Sequence, residues 1–174
     1  MRSRASGFTL IELIIVTVVL AILAVTALPR FGGKADVEER AAQDQLMAAL
    51  RLIQNRAMQQ TSASFCQQVL VTAKQLGSAA TNPCTATSAF SSQQVNAADQ
   101  FVLVSSGAVS LQLYNAVSAG TVQSLPYRFR FNALGRPVTD ASPGVQLSNG
   151  LRLVLSGALN LAVCIQAEGY IHPC

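Results

Sequence analysis

The chain has 174 residues and a formal net charge of +4; 51% of its residues are hydrophobic and only 11% are charged. Because soluble domains carry about 25% charged residues, this composition excludes a disordered acidic tail and an ordinary nucleic-acid-coating protein. It also excludes a polytopic transporter, since a single segment is apolar enough to cross a bilayer.

The excess apolarity begins at the N-terminus, where residues 8–28 read FTLIELIIVTVVLAILAVTAL and contain one charge, Glu12. As a helix this segment is roughly 31 Å long, which matches the hydrocarbon thickness of a membrane. Arg2 and Arg4 precede it and predict that the N-terminus stays in the cytoplasm. The run is longer than the apolar region of a secretory signal peptide, and no clean cleavage site follows it. The sequence therefore predicts a single transmembrane helix.

Glu12 is not explained by a plain membrane anchor, because an unpaired carboxylate in hydrocarbon costs about 3 kcal/mol. It belongs to the sequence GFTLIEL at residues 7–13, which resembles the class III signal of the type IV pilin and type II secretion pseudopilin superfamily. The resemblance implies that a membrane peptidase cuts after Gly7, that the new N-terminus at Phe8 is methylated, and that Pro29 kinks the helix. It also implies that Glu12 of one subunit pairs with the Phe8 amine of its neighbour in a fibre, which would fix the stagger between subunits.

The pattern becomes amphipathic after the apolar segment. Small and apolar residues recur at three- and four-residue spacings and form one helical face. They are Ala42, Leu46, Ala49, Leu50, Ile53 and Ala57. We therefore predict one helix from about Phe8 to about Gln60, which Pro29 can bend. Its first half would lie in a membrane or a fibre core, and its second half would pack on a sheet.

The rest of the chain is predicted to form antiparallel strands. Residues 127–131, YRFRF, alternate aromatic and basic side chains, which is typical of a half-buried strand. Asn149-Gly150 is a strong hairpin signal and predicts that residues 145–148 and 151–155 pair. The other predicted strands cover residues 65–72, 101–104, 109–114, 161–166 and 170–172, and residues 78–100 form a long polar loop. The fold class is therefore α+β, with a long N-terminal helix packed on antiparallel β-sheet.

The C-terminal part of the sequence indicates which branch of the superfamily the chain resembles. It contains the pattern F-x-x-x-G-R-P, a strand meander and a final x-G-x-I turn. The residues that carry the two motifs are Phe131, Gly135, Arg136, Pro137, Gly169 and Ile171. This combination resembles the minor pseudopilin H and its minor-pilin relatives, and the layout with paired cysteines most resembles a minor pilin of the mannose-sensitive haemagglutinin (MSHA) system.

The resemblance implies a pilin fold in four segments. They are a leader at residues 1–7, a transmembrane or fibre-core helix at 8–28, an amphipathic helix at 29–60 and an antiparallel β domain at 61–174. The implied role is a minor pilin that primes or caps assembly of a type IV pilus. The alternatives are a minor pseudopilin of a type II secretion system and a tip subunit that contacts a surface or DNA.

The resemblance also implies partners and a location. The partners are other pilins, the prepilin peptidase and methyltransferase, and the inner-membrane assembly platform. The precursor would cross the bacterial inner membrane once with its head in the periplasm, and the processed subunit would enter a fibre at the cell surface.

Four cysteines, Cys66, Cys84, Cys164 and Cys174, lie on the outward side of the predicted membrane segment. That position favours an oxidising periplasm and two disulfides, for which three pairings are open. The pilin resemblance, in which a bridge often closes the C-terminal loop, favours Cys66–Cys84 and Cys164–Cys174. A metal site of Cys164, His172 and Cys174 offers three ligands and no C-x-x-C pair, so no metal is predicted.

Arg128, Arg130, Arg136 and Arg152 could form a basic surface. Loss of the leader lowers the net charge to +2, because 10 basic and 8 acidic residues remain. The final turn also lacks the basic residues of DNA-binding minor pilins, so a solvated strand face is favoured over a nucleic-acid site. No serine stands in a G-x-S-x-G elbow, and the sequence predicts neither an enzyme nor a cofactor.

Overall fold

The structure is a computed structural model. It describes residues 9–27, 34–59, 68–78, 90, 101–102, 109–118, 120–141 and 143–174. The predicted cleavage and methylation site at Gly7 and Phe8, the predicted kink at Pro29, and the cysteines Cys66 and Cys84 lie outside these residues.

The chain divides into two compact units. We call Met1–Val37 the helix unit and Glu38–Cys174 the head unit. Helix α1, Leu10–Ala27, belongs to the helix unit, and helix α2, Lys34–Gln59, continues into the head unit. A single helix was predicted from about Phe8 to about Gln60. The described residues of this range form α1 and α2, and residues 28–33 between them are not described.

The described part of the head unit contains nine strands. They are β1 (Gln68–Val71), β2 (Gln75–Ser78), β3 (Phe101–Val102), β4 (Ser110–Tyr114), β5 (Tyr127–Phe131), β6 (Pro137–Thr139), β7 (Leu151–Ser156), β8 (Leu161–Ile165) and β9 (Ile171–Pro173). They form one sheet of order β3-β2-β1-β5-β6 and a second of order β4-β7-β8-β9. Neighbouring strands are antiparallel throughout these two sheets.

Helix α2 packs its predicted apolar face into the core of the head. Leu46, Ala49, Leu50, Ile53 and Ala57 are buried, and Ala42 packs against them. Side chains from both sheets complete the same cluster; among the largest are Phe129, Leu113, Leu151, Leu153 and Leu155. The α+β fold with antiparallel sheets is therefore confirmed, and the helical period of the sequence identifies the face that is buried.

Strands β4 and β7 of the second sheet alternate between core and surface. In β7, Leu151, Leu153 and Leu155 are buried, whereas Arg152 and Val154 are half-buried on the opposite face. This is the two-residue period of a sheet with one face on a core.

The predicted hairpin of residues 145–148 and 151–155 is wrong, although its turn exists. Gly150 has a φ of 67°, and its N–H donates to Leu147 O at 2.9 Å. Residues 145–147, however, hydrogen bond to β6, whereas β7 pairs with β4 and β8. The turn thus passes the chain from one sheet to the other. Turn chemistry specifies a local reversal, and it does not choose the partner of the strand that follows.

Antiparallel pairing places the turns of the head at two opposite ends. The turn between β7 and β8, residues 157–160, meets Glu39 near the start of α2, and we call this the proximal end. The turns between β5 and β6 and between β8 and β9 meet Gln54 near the other end of α2, and we call this the distal end.

Candidate assembly site and the anchoring of helix α2

The candidate assembly residue Glu12 lies in the first turn of α1. Thr9 precedes the helix and its carbonyl accepts the first helical hydrogen bond, from Leu13 N at 3.2 Å. Thr9 N in turn donates to Glu12 Oε2 at 3.4 Å. This is one half of a capping box, in which a glutamate at the third helical position reaches back to the N-cap. This capping role of Glu12 was not predicted, although the T-x-x-E pattern at residues 9–12 signals it.

Helix α1 exposes apolar side chains on all of its sides. Every side chain from Leu10 to Leu23 is exposed within this chain. The hydroxyl of Thr17 is satisfied inside the helix, because it donates to Ile14 O at 2.9 Å. A helix that is apolar on all sides is suited to a membrane or to the interior of a protein assembly. A hydroxyl that donates to a carbonyl of its own helix can lie in such an apolar environment.

Helix α2, by contrast, is tied to the head by polar side chains beside its apolar face. Gln43 Nε2 donates to Ala162 O at 2.6 Å, and Arg51 Nη2 donates to Ile171 O at 3.0 Å. Both acceptors are backbone carbonyls of the second sheet. The contacts fix the position of the helix along the sheet, which apolar packing alone does not specify.

Glu39 makes the proximal contact and is only 6% exposed. Its Oε1 accepts a hydrogen bond from Ala158 N at 2.7 Å, and its Oε2 accepts one from Leu159 N at 2.8 Å. A Cβ on Gly157 would overlap Glu39 Oε1, so the turn has room for the carboxylate because this residue is glycine. Hydrogen bonds to a charged acceptor are the stronger kind, and here they offset the burial of the carboxylate.

The distal contact brings together two motifs that lie apart in the sequence, G-R-P at residues 135–137 and x-G-x-I at residues 168–171. Gln54 Nε2 donates to Gly135 O at 2.8 Å and to Gly169 O at 2.6 Å. Gly169 has a φ of 94°, and a Cβ there would overlap Gly135 O. Arg136 and Glu168 form an ion pair across the same two turns, with Nη2 and Oε2 2.5 Å apart. The G-R-P and x-G-x-I motifs are therefore parts of one junction, which α2 closes.

Cys164 and Cys174 form a disulfide, with their Cα atoms 5.8 Å apart. It is one of the two pairings that the resemblance favours, and it holds the C-terminal strand β9 on β8. His172 Nε2 lies 3.0 Å from Gln166 Nε2, and His172 Nδ1 lies 2.9 Å from Pro173 O. Among the described residues, no three His, Cys, Asp or Glu side chains are grouped as metal ligands.

The four candidate basic residues do not share one surface. Arg128 and Arg130 lie on β5 in the first sheet, where Arg128 Nε is 3.4 Å from Asp140 Oδ2 and Arg130 Nη2 donates to Ala141 O. Arg152 lies on β7 in the second sheet, with its guanidinium 4.5 Å from the centre of the Tyr114 ring. Arg136 is paired in the distal junction. These contacts favour local structural roles over a concentrated phosphate-binding surface.

Residues 2–28 match the family described as the prokaryotic N-terminal methylation motif. The match supports the resemblance to type IV pilins and pseudopilins, which are structural proteins rather than catalysts, and the motif implies processing by prepilin peptidase and assembly with other pilins. It also implies a membrane-anchored precursor. Within the described residues, no helix combines the length and the apolarity needed to cross a membrane. No curated protein and no solved structure matches the chain.

Proposed function

We propose that this chain is a minor subunit of a type IV pilus that enters the fibre through α1. The precursor would be inserted in the inner membrane by residues 8–28, cut after Gly7 and methylated at Phe8. The observation that carries the proposal is the match to the methylation motif over residues 2–28, which includes a helix that is apolar on all sides and contains one carboxylate, Glu12.

The geometry around Glu12 supports its role in assembly. Cleavage after Gly7 would create an amine at Phe8, next to the Thr9 N–H that Glu12 contacts. That contact is long, at 3.4 Å, and Glu12 is exposed, so a stronger partner can replace it. The Phe8 amine of a neighbouring subunit is such a partner, because two charges that are each costly in hydrocarbon neutralise one another.

The head supports a structural role and the resemblance to the H-like minor pilins. The motifs that carry this resemblance meet in one junction around Gly135 and Gly169. Helix α2 contacts this junction through Gln54 and follows α1 in the sequence. Arg128 and Arg136, two of the four candidate basic residues, are paired with Asp140 and Glu168. We therefore favour priming or capping of an MSHA-like pilus over DNA binding.

The main test replaces Glu12 by alanine in the full chain, expressed with a pilus assembly system. We expect normal insertion and processing, but at least about a tenfold loss of the subunit from sheared fibres, which corresponds to about 1.4 kcal/mol of lost pairing. Glu38→Ala is the matched control, because Glu38 is also an exposed carboxylate at the start of a long helix. Equal incorporation of both variants would contradict the proposed role of Glu12.

A deletion strain separates the finer roles. Loss of all fibres supports priming, whereas normal fibres that fail to adhere or to take up DNA support a binding tip. Loss of protein secretion with normal pili would instead indicate a type II secretion pseudopilin. Mass spectrometry of the processed chain checks the cleavage after Gly7 and the methyl group on Phe8 in the same material.

A further inference from the structure

The distal end of the head exposes large apolar side chains. Leu134 is 70% exposed in the β5–β6 turn, Tyr170 is 66% exposed beside the β8–β9 turn, and Met58 is 40% exposed near the end of α2. At the proximal end, the exposed residues of the 157–160 turn are Ala158 and Asn160. Exposed apolar residues that cluster mark interaction surfaces more often than single exposed apolar residues do.

The three apolar residues surround one backbone contact. Leu134 and Tyr170 are adjacent in sequence to Gly135 and Gly169, whose backbones touch. A Cβ on Gly135 would lie 2.9 Å from Met58 Sδ, so Met58 lies against the same contact. We call Met58, Leu134 and Tyr170 the distal patch.

An exposed ion pair borders the distal patch. The side chains of Arg136 and Glu168 are 38% and 68% exposed, and Tyr170 stacks on His172 with ring centres 4.9 Å apart. Tyrosine, arginine and methionine are among the residue types enriched at protein interfaces. The patch thus combines an apolar centre with one basic and one acidic group at its border.

The edge of the neighbouring strand β9 cannot take up an extended peptide in the usual way. The hydrogen bonds of Tyr170 O and Cys174 N run to β8, so the backbone groups of Ile171 and Pro173 face outward. Ile171 O is already occupied by Arg51 Nη2, and proline has no N–H to donate. This edge therefore favours a partner that docks through side chains.

We propose that the distal patch is a docking surface for the head of a second copy of this chain. In a two-fold arrangement a surface meets itself, so it must be complementary to itself in charge. The border pair has this property, because Arg136 of each copy would face Glu168 of the other copy. The apolar side chains of the two distal patches would then meet at the centre. The inference concerns the head unit and stands independently of the proposed role of α1 in fibres.

The first experiment places a photo-crosslinking phenylalanine derivative at Leu134 in the purified full chain in detergent. The matched control carries it at Ala158, which is also an exposed turn residue but lies at the opposite end of the head. We expect Leu134 to give a crosslinked homodimer whose attachment points, by mass spectrometry, are in residues 132–136 or 166–172 of the other copy. Equal yields from both positions, or attachment confined to α1, would overturn the proposal.

The second experiment tests the border charges in the Leu134 crosslinking background. Arg136→Glu and Glu168→Arg each place like charges opposite one another in the two-fold pair, and each should reduce the yield about fivefold. Mixing the two variants should restore the crosslinking yield. In a dimer of one Arg136→Glu chain and one Glu168→Arg chain, both border contacts join a basic and an acidic side chain. The Arg136→Glu/Glu168→Arg double variant controls for folding, since it keeps a pair within each chain. A mixture that stays as low as the single variants, or capture of a different pilin in cells instead of a second copy, would exclude the proposed partner.

Discussion

The two helices differ in where their apolar surfaces find partners. The buried face of α2 meets both sheets of the head, and polar residues beside that face hydrogen bond to backbone carbonyls of the second sheet. Helix α1 has a more continuous apolar surface, yet every side chain from Leu10 to Leu23 is exposed. Apolar surface that the chain does not cover itself is available to a membrane or to other subunits, whereas covered surface stabilises the fold.

The same contrast separates the two glutamates that accept backbone hydrogen bonds. Glu39 is buried, and its two hydrogen bonds of 2.7 and 2.8 Å join it to a turn that is distant in sequence. Glu12 is exposed and makes one contact of 3.4 Å within its own helical turn. Replacing Glu39 would therefore disrupt the head, whereas the long and exposed contact of Glu12 is compatible with the proposed pairing to a neighbouring subunit.

The strongest test of this difference compares Leu50→Ala in α2 with Leu13→Ala in α1. Leu50 is completely buried and Leu13 is exposed, so the first substitution should reduce the free energy of unfolding of the head by about 2–5 kcal/mol. The second should change it by less than about 0.5 kcal/mol. Urea unfolding of the full chain in detergent, followed by near-ultraviolet circular dichroism of the head tyrosines, measures both. Similar losses would show that α1 also contributes to the core of the head.

The sequence predicts the apolar contacts of α2 better than its polar contacts. Periodic spacing identifies Leu46, Leu50 and Ile53 because a helix that packs on a sheet repeats its apolar side chains every three or four residues. No local pattern links Glu39 to Ala158, since that pairing depends on a turn more than a hundred residues away. Polar contacts between distant segments become visible only when the whole fold is known.

The strands show a similar limit. The alternation in YRFRF identifies β5, but the short strand β2 was not predicted, and the sequence QLGS offers little alternation to detect. Gly135 and Gly169 stand in motifs that the sequence shows clearly, yet their contact required the sheet topology. The proposed assembly role of Glu12 comes from its motif and stays a prediction, whereas its capping contact with Thr9 was not predicted.

A smaller effect is expected from the polar anchor at the proximal end. Glu39→Gln removes the charge and turns one acceptor into a donor that faces a backbone N–H, so it should cost about 1–3 kcal/mol of stability. Glu38→Gln is the matched control, because Glu38 is the preceding residue and is exposed. Its effect should stay within about 0.5 kcal/mol. If both variants unfold at the same urea concentration, the carboxylate of Glu39 does not anchor α2.

The smallest effect concerns Tyr127, which packs at the border of the core that α2 completes. Burial raises the pKa of Tyr127 above its ordinary value of 10.0, because the ionised phenolate is poorly solvated there. Below pH 10 both the folded and the unfolded chain hold the proton, and the contribution of this group to stability is complete. As the pH rises through the unfolded pKa toward the higher folded one, the unfolded chain ionises first, so stability falls.

Urea unfolding between pH 9 and 11 should therefore show a decline that Tyr127→Phe reduces, because phenylalanine fills the same apolar position without a proton to lose. An equally steep decline in the phenylalanine variant would mean that the border of the core at β5 is open to solvent, and that α2 covers less of the head than its buried leucines indicate.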